Sequence, residues 1–211
     1  MFADRRDAGR RLGDALSRLA LADPVVLALP RGGVVVGAEV AGALAAPLDL
    51  VMVRKLGAPG HPELAAGAVV DGSSPEIVRN EEVIRAYAVD DAYLAAEAGR
   101  QLAEIERRRQ LYLGDRPPVP LAGRDAVVVD DGIATGATVR AALQAVRRAG
   151  PRSLTLAVPV APPETLAALA ALCDRTVCLA SPRDFYAVGQ FYGDFAQTED
   201  AEVVALLREH P

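Results

Sequence analysis

Two adjacent carboxylates, Asp130 and Asp131, end an apolar run and precede a loop of small residues in the stretch VVVDDGIATGATV (Val127–Val139). The apolar run predicts a buried strand, which delivers the pair to its carboxyl end, where open α/β sheets place ligands. In the loop, Gly136 and Ala137 let backbone N–H groups approach an anion closely, and Thr135 and Thr138 add hydroxyl donors. A helix starting there contributes its dipole, so a phosphate is met by neutral donors rather than by a lysine. Carboxylates repel phosphate; the pair makes sense facing a sugar, accepting hydrogen bonds from vicinal ribose hydroxyls. The bland alternative is an acidic turn with a capping threonine, and the strand before and helix after weigh against it.

The stretch resembles the phosphoribosyl-diphosphate motif of type I phosphoribosyltransferases, an apolar strand, two acidic residues and a T-G-[GA]-[ST] loop. The resemblance implies that Asp130 and Asp131 hold the ribose 2- and 3-hydroxyls, and that Ala134, Thr135, Gly136, Ala137 and Thr138 hold the 5-phosphate. Pro30-Arg31-Gly32-Gly33 resembles the diphosphate-binding loop of the same enzymes, which implies a strained or cis Pro30–Arg31 bond and a diphosphate role for Arg31, Gly32 and Gly33. By the same resemblance Arg54 and Lys55 reach the leaving diphosphate. The segment from Gly57 to about Gly67, dense in Gly and Pro, then reads as a mobile loop forming part of a lid that excludes water.

The implied reaction displaces diphosphate from C1 of the ribose by a nucleophilic nitrogen, with Arg54, Lys55 and Asp131 as the catalytic set. The protein's work is positioning and stabilisation of the charge on the departing diphosphate. Mg²⁺ is expected near Asp130 and Asp131, bound mainly through substrate oxygens with no dedicated protein cage.

The acceptor is less defined. The aromatic-rich segment SPRDFYAVGQFYGDF (Ser181–Phe195) resembles the base-binding loop of hypoxanthine-guanine phosphoribosyltransferases, with Phe185 or Tyr186 stacking on a base and Asp194 nearby. Its alternative is a hydrophobic C-terminal flap packed on the core. Those enzymes carry an Asp within the phosphate loop, and here Ala134 stands in its place, which undercuts a 6-oxopurine acceptor. Asp184, Asp194 and Glu63 remain as general acid/base candidates that nothing selects among, and His61 reads as a solvated loop residue.

The elements that must position these residues follow from periodicity. Helical spacing runs from Asp4 to Leu21, strands over Val25–Pro30 and Leu48–Leu56, a helix between them over Val34–Leu44, and a third strand includes Ala68–Val70. A charged helical insert spans 80–112 and covers the active site, forms a homodimer contact or is simply a solvated face. Strands at Ala126–Asp130, Leu154–Pro159 and Thr176–Ala180 alternate with helices at Thr138–Ala149 and Pro163–Leu172. Alternation of this kind predicts an α/β fold, a parallel-sheet Rossmann-like phosphoribosyltransferase core in one domain over 1–211 with a C-terminal flap at about 181–200.

With 211 residues, 51% hydrophobic but 4% aromatic, the core must come mostly from Ala, Val and Leu. The formal net charge of -5 lacks the positive field of a nucleic-acid binder. Cys173 and Cys178 are too few for a disulfide scaffold or zinc site. A charged N-terminus and the lack of a long apolar run predict a cytoplasmic protein with no membrane partner. The expected partners are phosphoribosyl diphosphate and a small nitrogenous acceptor. The alternative is a non-catalytic regulator that senses phosphoribosyl diphosphate. A donor-synthesising diphosphokinase would show duplicated halves, and a dinucleotide binder would place G-x-G-x-x-G where PRGGVVVG stands.

Overall fold

Val-, Leu- and Ala-rich segments form a five-stranded parallel sheet in the order β2-β1-β6-β7-β8 in the computed structural model, which describes residues 1–71 and 76–210. Its strands are β1 (Pro24–Ala28), β2 (Leu48–Leu50), β6 (Asp125–Val129), β7 (Ser153–Val160) and β8 (Arg175–Ala180). The central strands are buried on both sides because helices cover both faces. Val26, Ala28, Val127 and Val129 point into a core shared with helices α1 (Arg5–Leu16) and α2 (Gly32–Leu44). Val25, Leu27, Ala126 and Val128 point the other way, into a core shared with α5 (Ala137–Arg148) and Leu169 of α6 (Pro163–Ala170).

From β1 the chain crosses through α2 to β2 on one side; from β6 it crosses through α5 to β7 on the other. The order therefore reverses between the paired neighbours β1 and β6, the switch point beyond whose carboxyl ends open α/β sheets form their ligand crevice.

The expected strand over Leu48–Leu56 divides. Leu48–Leu50 is β2 of the parallel sheet, while β3 (Val53–Ala58) joins β4 (His61–Val70) and β5 (Glu76–Arg79) in a separate antiparallel sheet. The chain leaves the first sheet at Val51, whose N–H still reaches Ala28, and at Met52, whose N–H donates to Asp71 Oδ1 at 2.7 Å. A continuous apolar run hides such a bend.

The expected loop over Gly57–Gly67 is a hairpin instead. A Cβ at Gly57 would lie 2.7 Å from the Pro62 backbone, and one at Gly67 would lie 2.6 Å from the Val78 carbonyl. These glycines mark close backbone approach, Gly57 in the bulged β3–β4 ladder and Gly67 against β5, rather than a free loop.

The helical insert is two helices, α3 (Glu81–Ala86) and α4 (Asp91–Leu113), separated at Ala88, which has φ 49°, and restarted by Asp90 capping Tyr93 N–H at 2.6 Å. A last helix, α7 (Asp200–Glu209), lies beyond the expected elements; it buries Val203, Leu206 and Leu207 against the core. The segment before it returns to the amino terminus. Phe2 N–H donates to the Phe191 carbonyl at 2.8 Å, and Gly193 N–H to that of Phe2 at 2.8 Å.

Candidate active site

Strand β6 ends at Val129, and the next seven residues turn directly into α5. Ile133 N–H donates to Val160 of β7 at 2.9 Å, and the Thr165 hydroxyl of α6 donates to the Ala134 carbonyl at 3.0 Å, so both neighbouring elements pin the turn. Gly136 sits at φ 77°, where a side chain would be strained, and a Cβ there would stand 2.9 Å from Thr165. No side chain caps α5. Its first N–H groups and positive dipole end are therefore offered outward, beside the exposed Thr135 and half-buried Thr138.

The loop after β1 faces this turn. The Pro30–Arg31 peptide is cis, in keeping with the likeness of PRGG to a diphosphate loop. A Cβ on Gly33 would lie 3.0 Å from Asp130 Cα, and one on Gly32 would lie 1.9 Å from Asp131 Oδ2. Only glycine admits the acidic pair this close. The fold thus brings together Asp130, Asp131, Gly32 and Gly33, which are about a hundred residues apart in sequence.

Burial and the neighbouring Asp131 push the Asp130 carboxyl well above the usual carboxylate range. Burial also raises Asp131, and Arg5 opposes that rise. Arg5 carried no distinguishing signal in sequence, one of several arginines on α1. Its Nε donates to Asp131 Oδ2 at 2.7 Å, its Nη1 to the Ala196 carbonyl at 2.7 Å, and its guanidinium lies 3.8 Å over the Phe195 ring. The Tyr192 hydroxyl donates to the Asp131 carbonyl at 2.5 Å, and its ring packs on Phe2 and Phe195.

Arg31 lies with Nη1 3.5 Å from Asp200 Oδ1 of α7, and the same oxygen accepts from the Tyr112 hydroxyl at 2.6 Å. Burial, with Asp200 beside it, pushes the Tyr112 phenol up to about 12. Arg54 is on β3 and donates to Gln101 Oε1 of α4 at 3.0 Å, while Lys55 is exposed. In the C-terminal segment Phe185 packs on Phe191, with ring centroids 5.2 Å apart, and Tyr186 stands 91% exposed. Asp194 is exposed and accepts from Ala196 N–H at 2.9 Å. His61 meets the edge of Tyr87, and Glu63 and Asp184 are exposed. No group of three or more His, Cys, Asp or Glu among the described residues is arranged to hold a metal. No helix among them is long and apolar enough to cross a membrane.

Residues 7–195 match the family model described as phosphoribosyl transferase domain. A provisionally named phosphoribosyl transferase of Mycobacterium tuberculosis, Rv0571c, is 50% identical over 207 residues, covering 98% of this chain and 46% of its own length. The chain thus spans about half the length of the curated relatives it matches. The crystal structure of TT1426 from Thermus thermophilus is 49% identical, with TM-score 0.86, covering 99% of this chain and 98% of that one. A Neisseria gonorrhoeae protein solved with bound ppGpp is 11% identical at TM-score 0.50, covering 97% of this chain and 92% of that one, a likeness of fold.

Proposed function

The chain belongs to the phosphoribosyl transferase domain family, and on that premise we propose that it transfers the phosphoribosyl group of 5-phosphoribosyl 1-diphosphate to a nitrogenous base or related amine, releasing diphosphate. One observation carries this reading: the uncapped start of α5, the Asp130–Asp131 pair and the Gly32–Gly33 loop converge on one crevice at the β1/β6 switch point. Each feature matches one part of such a donor.

The N–H groups at the start of α5, with Thr135 and Thr138, would hold the 5-phosphate. Asp130 and Asp131 would accept from the ribose hydroxyls. Gly32 and Gly33 would offer backbone N–H groups to the diphosphate, with Arg31 turning from Asp200 toward it. These contacts fix the sugar with C1 between the two loops and leave the acceptor one face from which to attack. As the bond to the diphosphate lengthens, positive charge grows on the ring and negative charge on the leaving group. Asp131 faces the first and Arg31 the second, so both are stabilised where they develop. Arg54 and Lys55, on the hairpin beside α4, are assigned to the diphosphate by resemblance.

Mg²⁺ suits this crevice, because the carboxylate oxygens of Asp130 and Asp131 are hard donors set beside where the substrate oxygens would lie. When bound it would neutralise charge building on the diphosphate. The exposed Tyr186 ring, with Phe185 and Asp194 in the same segment, is the stacking surface assigned to a planar acceptor. Ala134 supplies no acid at the phosphate loop, so a 6-oxopurine is not singled out.

Isothermal titration of phosphoribosyl diphosphate with Mg²⁺ tests the donor. Asp130→Ala/Asp131→Ala is expected to weaken binding by at least about thirtyfold, since removing a buried charged hydrogen-bonding partner costs roughly 2–5 kcal/mol. Unchanged binding would refute the assignment. Diphosphate release across a panel of bases and amines tests transfer; binding without any turnover would favour the sensor.

A further inference from the structure

We propose that Arg5 is a positioning residue of the donor site, one that holds the Asp131 carboxylate for the ribose hydroxyls and fastens it to the C-terminal segment; this rests on the donor reading above. Arg5 and Asp131 are 126 positions apart, yet their side chains meet at 2.7 Å and keep only 12% and 16% exposure. A bond this short and this sheltered is charge-assisted and geometrically fixed, unlike an exposed ion pair.

The contact is selective. Arg6 pairs with Glu39, and Arg11 pairs with Asp7 and lies over Phe2, so among these α1 arginines Arg5 is the one turned into the crevice. Its position is determined from three directions: the Asp131 carboxylate, the Ala196 carbonyl and the face of Phe195. A lysine can satisfy one of these but not all, because the planar fork is what bonds in two directions while stacking. The site for a Cβ on Gly32 lies 2.8 Å from Arg5 Nε, so the side chain borders the loop after β1 as well.

Arg5 takes one of roughly four acceptor positions on the carboxylate, leaving others for hydroxyl donors. Its charge also offsets the repulsion between Asp131 and Asp130, which would otherwise turn the two carboxylates apart. Arg5 therefore supports the ribose subsite rather than occupying it. It acts through Asp131, not on the diphosphate. The C-terminal segment is drawn into the same unit, since Phe195 and Ala196 are placed by the guanidinium that places Asp131.

The test is calorimetric titration with three probes: phosphoribosyl diphosphate with Mg²⁺, ribose 5-phosphate, and inorganic diphosphate with Mg²⁺. Arg5→Gln is expected to weaken the first two by about tenfold or more, the usual worth of one charge-assisted bond, and to change diphosphate by less than about twofold. On an Asp131→Asn background the same substitution should add less than about twofold, because its effect passes through that carboxylate. Arg5→Lys, which keeps the charge if Arg5→Gln folds poorly, should fall between wild type and Arg5→Gln with the same selectivity for the ribose probes.

Equal weakening of all three probes would make Arg5 a general structural residue and overturn the proposal. So would unchanged binding, or tighter ribose 5-phosphate binding, which would mark Arg5 as an occupant competing for Asp131. A wild-type chain that binds none of the probes would instead refute the donor reading, and this inference with it.

Discussion

On the wall of the crevice that follows β6, Asp131 is bonded to Arg5 at 2.7 Å and its carbonyl to Tyr192 at 2.5 Å, both sheltered from water. On the wall that follows β1, Arg31 faces Asp200 at 3.5 Å, and the Asp200 side chain is 48% exposed. The first set of contacts is short, desolvated and multiply braced. The second is a long, wet ion pair, of a kind worth about 0–1 kcal/mol. Under the transfer reaction proposed above, the difference separates two tasks. A carboxylate that must present lone pairs to a sugar gains from being fixed before the sugar arrives. A guanidinium that must follow a departing anion gains from a partner it can leave cheaply. Asp200 also accepts from the Tyr112 hydroxyl at 2.6 Å, and that bond, more than Arg31, holds its carboxyl below the usual range.

The contrast can be broken most severely at the seam between the walls. Gly32→Ala places a Cβ 1.9 Å from Asp131 Oδ2, so either the loop or the carboxylate must move. Overpacking of this kind costs about 1–3 kcal/mol, and titration should show donor affinity falling by about ten- to a hundredfold. Retained affinity would mean that the walls need not meet.

A smaller effect probes what fixing the carboxylates costs. Burial holds the Asp130 pKa above its unfolded value, so the folded chain binds the extra proton. That contribution to stability is present below the unfolded carboxylate pKa of 3.8 and is lost as pH rises through the folded value. Asp130→Asn, which never ionises, should gain on wild type between pH 4 and pH 7.5. In thermal melts Asp130→Asn is expected to melt above wild type by a margin that widens as pH rises. Parallel melting curves across that range would count against a strained pair.

The least change is expected on the opposite wall. Asp200→Asn weakens the rest position of Arg31 but keeps a hydrogen-bonding group for Tyr112. Donor affinity should move by less than about threefold, in line with an exposed pair. A tenfold loss would show that Asp200 aims Arg31, and the two walls would then work alike.

Legibility in the sequence followed the same division. The wall after β6 is local: strand, acidic pair, glycine turn and helix lie within Val127–Val139, and the structure keeps them in that order. The central strands β1, β6 and β7 of the parallel sheet were readable because burial on both faces makes them near-continuous apolar runs. Of the antiparallel sheet only the Ala68–Val70 end of β4 was readable as a strand, since the glycines that permit close approach at Gly57 and Gly67 look like loop formers. Helix α7 shows only three buried apolar residues among charges, too weak a stripe to stand out. Arg5 was illegible for a different reason. Its meaning depends on a partner 126 positions away, and nothing in ADRRDAGRR sets one arginine apart from the next.

The clasp between Phe2 and the segment Phe191–Gly193 gives the molecule an order of assembly. A chain leaving the ribosome can form β1, α2 and β6 early, and with them the floor of the crevice. Arg5 emerges well before Phe195 and Ala196, and must wait for them before its guanidinium has a ring to lie on and a carbonyl to bond. Until then it is one more mobile cation on a nascent helix. The surroundings of Asp131 are thus completed only once Phe195 and Ala196 have been made, and a chain stalled before them would carry a folded sheet with an unfinished crevice.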